Sequence, residues 1–389
     1  VTSVMGYVRS RDALEQAIFD QLTAARESKM RQVENYFRTI GNELRLLAAS
    51  KMVVDATRGF RIAVDELDQA GAPVELRDKV GAWYGKNFLP ELRRATGTEP
   101  ILADYLPARP GSYYLQYHYI VENPHPSGRR RLLDDAGDGS AYSKVHSVYH
   151  LLMRAAATTV GFDDFMLADA RTGRLVYTVD KDVDFATSFQ TGPYRHSNAA
   201  IAVARCATAA ERSATCLEDF ALYAPAIDEP TAFMAAPVID RGVVIGVLIA
   251  QLSDAEIDKI VTGGRRWRHE GFRATGEAYL VGPDHLVRSG PREFYENRDK
   301  YFADIKASGA SAEEIAAIRR FDTPVLHQRV ETTASRAALA GIEGTGEIIG
   351  NRGVPTLASW GPLTIPGLNW ALIADIDADE AFAPIYRLR

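Results

Sequence analysis

The chain reads as an α+β protein in which a long N-terminal helix and a helical segment precede two regions of short strands. Three observations predict this. From Arg9 to Ala49 there is no Pro and a single Gly, and Met30, Val33, Phe37, Ile40, Leu44 and Leu47 recur at helical spacing. From Gly161 to Asp254, short apolar runs alternate with turns such as Asp169–Gly173 and Asp240–Gly242. Strand-like runs separated by turns resume at Ala278 and again from Gly344 onward.

With 389 residues the chain exceeds one ordinary core, and two or three domains are expected. At 46% hydrophobic and 25% charged residues, its composition is that of a globular protein. A net charge of −6 argues against a nucleic-acid surface, which needs a basic stripe. The short clusters Arg129–Arg131 and Arg265–Arg268 read as solvated loop charge. The longest apolar run, Val243 to Leu252, is about half of what a spanning helix needs. The opening VTSVMGYVRSRDAL has neither the charged start nor the apolar centre of a signal peptide. Lacking an initiator Met and helical in pattern at both ends, the chain is read as a piece of a longer protein.

The first forty residues of helix would span on the order of 60 Å, suiting a spine that passes one domain to reach another. Such a spine could also pair with a partner's. Lys51 to Thr96 continues helical, with breaks at Gly71–Pro73 and around Leu89–Pro90. From Ile101 to Leu133, four prolines, with Pro100 just ahead of them, and the aromatic string YYLQYHYI predict ordered irregular structure. Ser143 to Val160 is a helix on which His146 and His150 share a face; with no third ligand nearby, they read as packed or capping histidines.

Along Arg174–Lys181 strict alternation places Leu175, Tyr177, Val179 and Lys181 on one face, and Thr231, Phe233 and Ala235 share a face of their own strand. A pocket between this sheet and Asp182–Ser197 would be walled by Tyr177, Tyr194 and Phe233, with Tyr223 near. Asp184 and Asp219 would accept from a ligand ammonium, and Lys181 or Arg195 would bind a carboxylate. Phe233 also reads as core, and Asp184 as the cap of the turn before Phe185. Cys206 and Cys216 could close a ten-residue loop, stabilising by roughly 3 kcal/mol in an oxidising compartment; two reduced thiols are the alternative. From Asp254 to Arg268 the chain reads as a linking helix and loop, and Arg292 to Arg320 as largely helical. Gly344, Gly346 and Gly350 miss the dinucleotide fingerprint by one residue and read as hairpin glycines.

The motifs "D-x-x-TG-x-x-VY" (169–177), "DF-x-TS" (184–188), "GPY" (192–194) and "AAPV-x-x-x-G-x-x-IGVL" (235–248) resemble the distal half of a double Cache sensor domain. GEAYLVGPDHLVRS (Gly276–Ser289) and SWGPLTIPGLNWALIADIDADEAFAP resemble its membrane-proximal half, so that the resemblance spans Tyr113 to Pro384. QYHYIVENPHPSG and DDAGDGSAYSKVHSVYH look like a subset with an added helical region, found in sensor regions of adenylate/guanylate cyclases.

The resemblance implies a spine helix at 1–50, a helical insert at 51–160, and two tandem Cache (PAS-like) antiparallel-sheet domains. These are a membrane-distal domain at 161–262 and a membrane-proximal one at 263–380, followed by an exit helix from 381. It implies the periplasmic portion of an inner-membrane protein with flanking transmembrane helices, a small-molecule ligand of open class, and homodimerisation through the long helix. No cofactor, metal or nucleic acid is expected. The family's amino-acid-binding signature, with its Arg-x-Trp-Tyr element, has no counterpart here, which leaves the ligand open.

No GxSxG elbow, phosphate loop or HExxH helix occurs, and neighbours such as Asp134–Asp135 and Asp163–Asp164 do not face each other. No catalytic residue is assigned. The function expected is that of a receptor's sensor region, most consistent with a nucleotide cyclase. A chemoreceptor or histidine kinase is the alternative, and a secreted hydrolase or a helical scaffold represents a different class.

Overall fold

The computed structural model describes residues 2–209 and 214–386, with side chains from 11 to 384. The chain divides into two compact units, Thr39–Ser253 and Val1–Arg38 with Asp254–Arg389. Helix α1 (Thr2–Ala49) supplies residues to both. Its buried side chains are Ile18, Leu22, Arg26, Lys29, Val33, Phe37, Ile40, Leu44 and Ala48, a stripe of i, i+3 and i, i+4 steps. Two cations therefore interrupt the apolar seam. Each lays its stem along the seam and gives its head a partner. Lys29 Nζ donates to the Ile260 carbonyl (2.9 Å) and to Glu270 (2.8 Å), while Arg26 donates to the Trp360 carbonyl.

In the unit 39–253, α2 (Lys51–Ala70) starts at Ser50, whose hydroxyl accepts from the Val53 amide, and stops at Gly71 with φ 77°. Helix α3 (Val74–Trp83) continues through a π turn, Tyr84–Phe88, into α4 (Leu89–Thr96). Pro90 lacks an N–H and clashes with the carbonyl four residues back, so the helix widens by one residue before it. Helix α5 (Pro110–Gln116) also ends in a π turn, Tyr117–Val121. Helix α6 (Ala141–Val160) buries Tyr142, His146, His150, Met153 and Ala157 along one stripe.

Strands β1 (Asp164–Asp169) and β2 (Leu175–Thr178) precede α7 (Asn198–Ala207), which is followed by β3 (Cys216–Tyr223), β4 (Glu229–Asp240) and β5 (Val243–Ser253). They form one antiparallel sheet in the order β2-β1-β5-β4-β3. Both faces are covered, so β1 and β2 are buried throughout. On one face lie α2 and α6. On the other, Val80, Tyr84, Phe88, Leu92 and the α7 residues Ala199 and Val203 pack against Met166, Leu175, Phe233, Val247 and Ile249. A disulfide, Cys206–Cys216, ties α7 to β3 with its Cα atoms 5.8 Å apart.

In the other unit, α8 (Asp254–Val261) leads to β6 (Glu277–Val281), then to α9 (Arg292–Glu296), α10 (Arg298–Ala307), α11 (Ala312–Phe321) and α12 (Thr333–Leu339). Strands β7 (Gly344–Ile349), β8 (Pro355–Pro362) and β9 (Ala371–Asp377) precede α13 (Ala378–Tyr386). The antiparallel sheet order is β6-β9-β8-β7. Its core joins Tyr279, Val281 and Ile373 to Val330, Ala334 and Ala338. Phe37 of α1 meets Trp370 edge-on at 5.6 Å. No helix among the described residues is long and apolar enough to cross a membrane.

Candidate functional site

The segment from Val179 to Ser197 leaves β2 and crosses the sheet face that α3 and α4 cover. It is held by side chains of the helical segment. Gln116 Nε2 donates to the carbonyls of Val183 (3.0 Å) and Phe185 (2.8 Å), and the Tyr84 hydroxyl lies 3.1 Å from the Val183 carbonyl. These bonds fix Asp184 with its carboxyl in the interior, where Oδ2 accepts from the Tyr223 hydroxyl at 2.6 Å. Tyr223 in turn packs on Phe233 (4.8 Å between ring centroids) and near Tyr194 (6.4 Å).

Two polar atoms of this cluster, Asp184 Oδ1 and the Tyr194 hydroxyl, are buried without a hydrogen-bond partner. A buried polar group left in this way costs stability and marks a place where a donor or acceptor is missing. Burial pushes the Asp184 carboxyl up to about 6, with the Tyr223 hydrogen bond acting against it. Burial also holds the Tyr194 hydroxyl protonated, well above the usual phenol range.

A cavity of about 510 Å³ opens between α3–α4, the 120–130 loop and residues Asp182–Val183; Val183 adjoins Asp184 in the chain, but Asp184, Tyr194, Tyr223 and Phe233 do not themselves line it. Trp83 and Phe88 give it aromatic walls, and Glu91, Arg130 and Asp182 give it charge. Arg130 is buried and directed by its contacts. It donates to the Lys181 carbonyl (3.0 Å), reaches Asp182 Oδ1 (3.4 Å) and lies over the Trp83 ring at 5.0 Å. Burial, with the charge of Asp180 two residues back, pushes Asp182 up to about 7.

The face of Tyr177 differs from the one that strict alternation predicts. The β1–β2 register pairs Ala168 with Leu175 but Leu167 with Tyr177, so that Val176 is an extra residue. A bulge of one residue transfers every following side chain to the opposite face. Leu175 therefore stays with the Asp184 face, while Tyr177 stacks on Phe60 of α2 at 4.9 Å. Lys181 follows it. The Nζ donates to the Thr178 carbonyl and stands over the rings of Tyr177 (4.3 Å), Phe185 (5.2 Å) and Tyr119 (5.8 Å). Burial lowers it to about 7, against the pull of Asp164 and Asp180. His150 Nδ1 meets the Tyr177 hydroxyl at 2.7 Å and Nε2 meets the Arg131 carbonyl at 2.7 Å. Burial and the nearby Lys181 hold this imidazole neutral down to about pH 3. Among the described residues, no group of three or more His, Cys, Asp or Glu side chains is arranged to hold a metal ion.

Of the residues singled out from sequence, the structure brings together Asp184, Tyr194, Tyr223 and Phe233. Tyr177 and Lys181 lie across the sheet from them. Arg195 is exposed and donates to the Gly192 carbonyl. Asp219 is half-buried at a bulge of the edge strand β3, where it accepts from the Phe220 amide. The sequence reading missed Tyr84, Trp83, Gln116, Arg130 and Asp182. A signal existed in the aromatic cluster WYGKNF just before Pro90, but Arg129–Arg131 looked like solvated charge because nothing local pairs with it.

No protein-family model matches the chain, and no curated protein matches it. Solved structures similar to it are ligand-binding domains of chemoreceptors and sensor domains of histidine kinases. The ligand-binding domain of the Pseudomonas fluorescens chemoreceptor CtaA, in complex with L-leucine, is 14% identical, with a TM-score of 0.36, covering 83% of this chain and 97% of that one. The Pseudomonas aeruginosa amino-acid chemoreceptor PctC domain, in complex with GABA, is 16% identical (TM-score 0.34, 56% and 74% covered). The V. cholerae histidine kinase DctB sensor domain is 12% identical (TM-score 0.35, 68% and 88% covered).

Proposed function

We propose that this chain is the extracytoplasmic ligand-sensing region of a bacterial transmembrane signalling receptor, and that the unit 39–253 carries its ligand site. The observation that carries the reading is the buried carboxyl of Asp184, with one oxygen unpartnered, among aromatic rings and adjoining in the chain Val183, which lines a cavity of about 510 Å³. An ammonium group supplies the donor that Asp184 Oδ1 lacks, and the rings favour its charge. The ligand is accordingly read as a small molecule bearing an amine. Its occupancy would favour one arrangement of the Asp182–Ser197 segment over another, and only that difference in affinity drives a signal.

The output is read as that of a chemoreceptor or histidine kinase, the receptors whose sensor regions the sheet motifs resemble. A nucleotide cyclase is the alternative and rests on the strings at 116–128 and 134–150. Homodimerisation and anchoring by flanking helices belong to the same reading.

A thermal-shift screen with amines, amino acids, organic acids and purines tests it. An amine-bearing compound is expected to raise Tm without being consumed. Asp184→Asn and Trp83→Ala should abolish the rise, and Arg195→Ala should leave it intact. Turnover of the stabilising compound would support a hydrolase instead. A stabilising amine that acts equally on the Asp184→Asn and Trp83→Ala variants would place the site elsewhere.

A further inference from the structure

A second, smaller cavity of about 90 Å³ lies elsewhere in the unit 39–253, where α2, the start of α5 and the β1–β2 turn meet. Four guanidinium groups line it, from Arg61, Arg109, Arg171 and Arg174, against three carboxylates, from Asp65, Asp68 and Asp169. Their bonding is unequal. Arg174 is buried and uses each guanidinium nitrogen once, donating to Asp68 (2.6 Å), to a serine hydroxyl (2.8 Å) and to a backbone carbonyl (3.2 Å).

Each oxygen of the two inner carboxylates already accepts one hydrogen bond. Asp68 accepts from Arg174 and from the Gly111 amide (2.9 Å), and Asp169 accepts from the Arg171 amide (2.9 Å) and the Thr172 hydroxyl (3.1 Å). The other three guanidinium groups make no hydrogen bond to any described side chain or carbonyl. Arg61 Nε is buried and unbonded although Asp169 Oδ1 is 3.2 Å away. Arg109 comes no closer than 4.0 Å to Asp68, and Arg171 is 3.9 Å from both Asp65 and Asp169; these two side chains are 68% and 66% exposed.

We propose that this cavity binds a small oxyanion, a carboxylate or an inorganic phosphate, between Arg61, Arg109 and Arg171. Unused donors outnumber unused acceptors here, and the excess charge is positive. Planar guanidinium groups match the paired oxygens of such anions. The volume holds several waters and hence an anion of about five heavy atoms. A bound oxyanion would join helix α2 to the β1–β2 turn and the start of α5.

The test is the melting temperature of the full chain with inorganic phosphate and with acetate, at fixed pH and with ionic strength held constant by chloride. A saturable rise in Tm with either anion, absent in chloride, is expected. Response to phosphate alone or acetate alone identifies which oxyanion the site takes. Arg109→Gln and Arg171→Gln should each weaken the apparent affinity about ten-fold or more. Arg205→Gln, an exposed arginine of α7 outside the cavity lining, should leave it unchanged. The Asp184→Asn variant should keep the anion response, which separates this site from the amine site proposed above. No saturable rise with either anion, or a wild-type response from the Arg109→Gln/Arg171→Gln double variant, overturns the proposal.

Discussion

Asp184 and His150 are displaced in opposite senses by the same cause, removal from water, and their effects on stability oppose each other. The ordinary value for Asp184 is 3.8 and its folded value about 6. Between these the folded protein holds a proton that the unfolded chain has released, so stability falls as pH rises from about 4 to about 6 and stays reduced above that. The displacement amounts to about 3 kcal/mol. His150 is neutral in the folded protein down to about pH 3, against an ordinary 6.5. From pH 6.5 to 3 the unfolded chain takes up a proton that the folded one does not, so stability falls as pH falls. Between about pH 4 and 6 the two slopes partly cancel. Asp184→Asn removes one of them and keeps an acceptor for Tyr223. The variant should melt higher than wild type at pH 7.5, lose that advantage below pH 4, and show a steeper acid limb. Thermal melts across that range measure all three, and parallel profiles for the two proteins would contradict the burial argument.

At the scale of elements, α2 lies so close to β5 that only a glycine fits between them. A Cβ on Gly246 would stand 2.6 Å from Thr57 Cγ2 and 2.9 Å from the Ala168 carbonyl oxygen. Gly246→Ala should lower the unfolding free energy by about 1–3 kcal/mol, read as a lower denaturant midpoint. Adding Thr57→Ser deletes the clashing methyl and keeps the hydroxyl that donates to the Val53 carbonyl, so part of the loss should return. A double variant as unstable as the single one would mean that the backbone contact dominates.

Elements with one strong local signal were legible in the sequence. The proline-free run of α1, the turns at Asp169–Gly173 and Asp240–Gly242, and the apolar runs of β4 and β5 each declare themselves within a dozen residues. Features arising from one added residue or a remote partner were not. The bulge at Val176 leaves the pattern of alternation intact while reversing its meaning for Tyr177 and Lys181. Arg26, Lys29 and Arg130 look solvated in sequence because the carbonyls and carboxylates that receive them come from far along the chain. Within the candidate site, Asp184, Tyr194, Tyr223 and Phe233 were singled out from the strand region, whereas Trp83, Gln116 and Arg130, from the segment preceding it, were not, because the groups they meet come from far along the chain.

At the scale of the whole molecule, the two units differ in how the chain supplies them. Residues 39–253 are contiguous and contain a complete five-stranded sheet with both faces covered. The other unit is assembled from two segments. Its N-terminal segment supplies Phe37 against Trp370, Lys29 to Glu270 and the Ile260 carbonyl, and a Thr23 hydroxyl 3.0 Å from that of Ser359. It also supplies Glu34 Oε1, which accepts from the Thr364 amide at 2.8 Å. Without that segment, Trp370 loses its ring partner and one side of the four-stranded sheet loses its cover, a loss on the order of several large-to-small core substitutions at once. Residues 39–253 alone are therefore expected to unfold in one cooperative transition, and residues 254–389 alone to lack one. Adding a peptide of residues 1–38 should restore it, because helix formation is driven by the packing of its apolar stripe. Trp267, Trp360 and Trp370 report on this unit and Trp83 on the other, so near-ultraviolet circular dichroism reads each separately. A sharp, native-like melt from residues 254–389 without the peptide would show that α1 is an accessory to that unit and not part of its core.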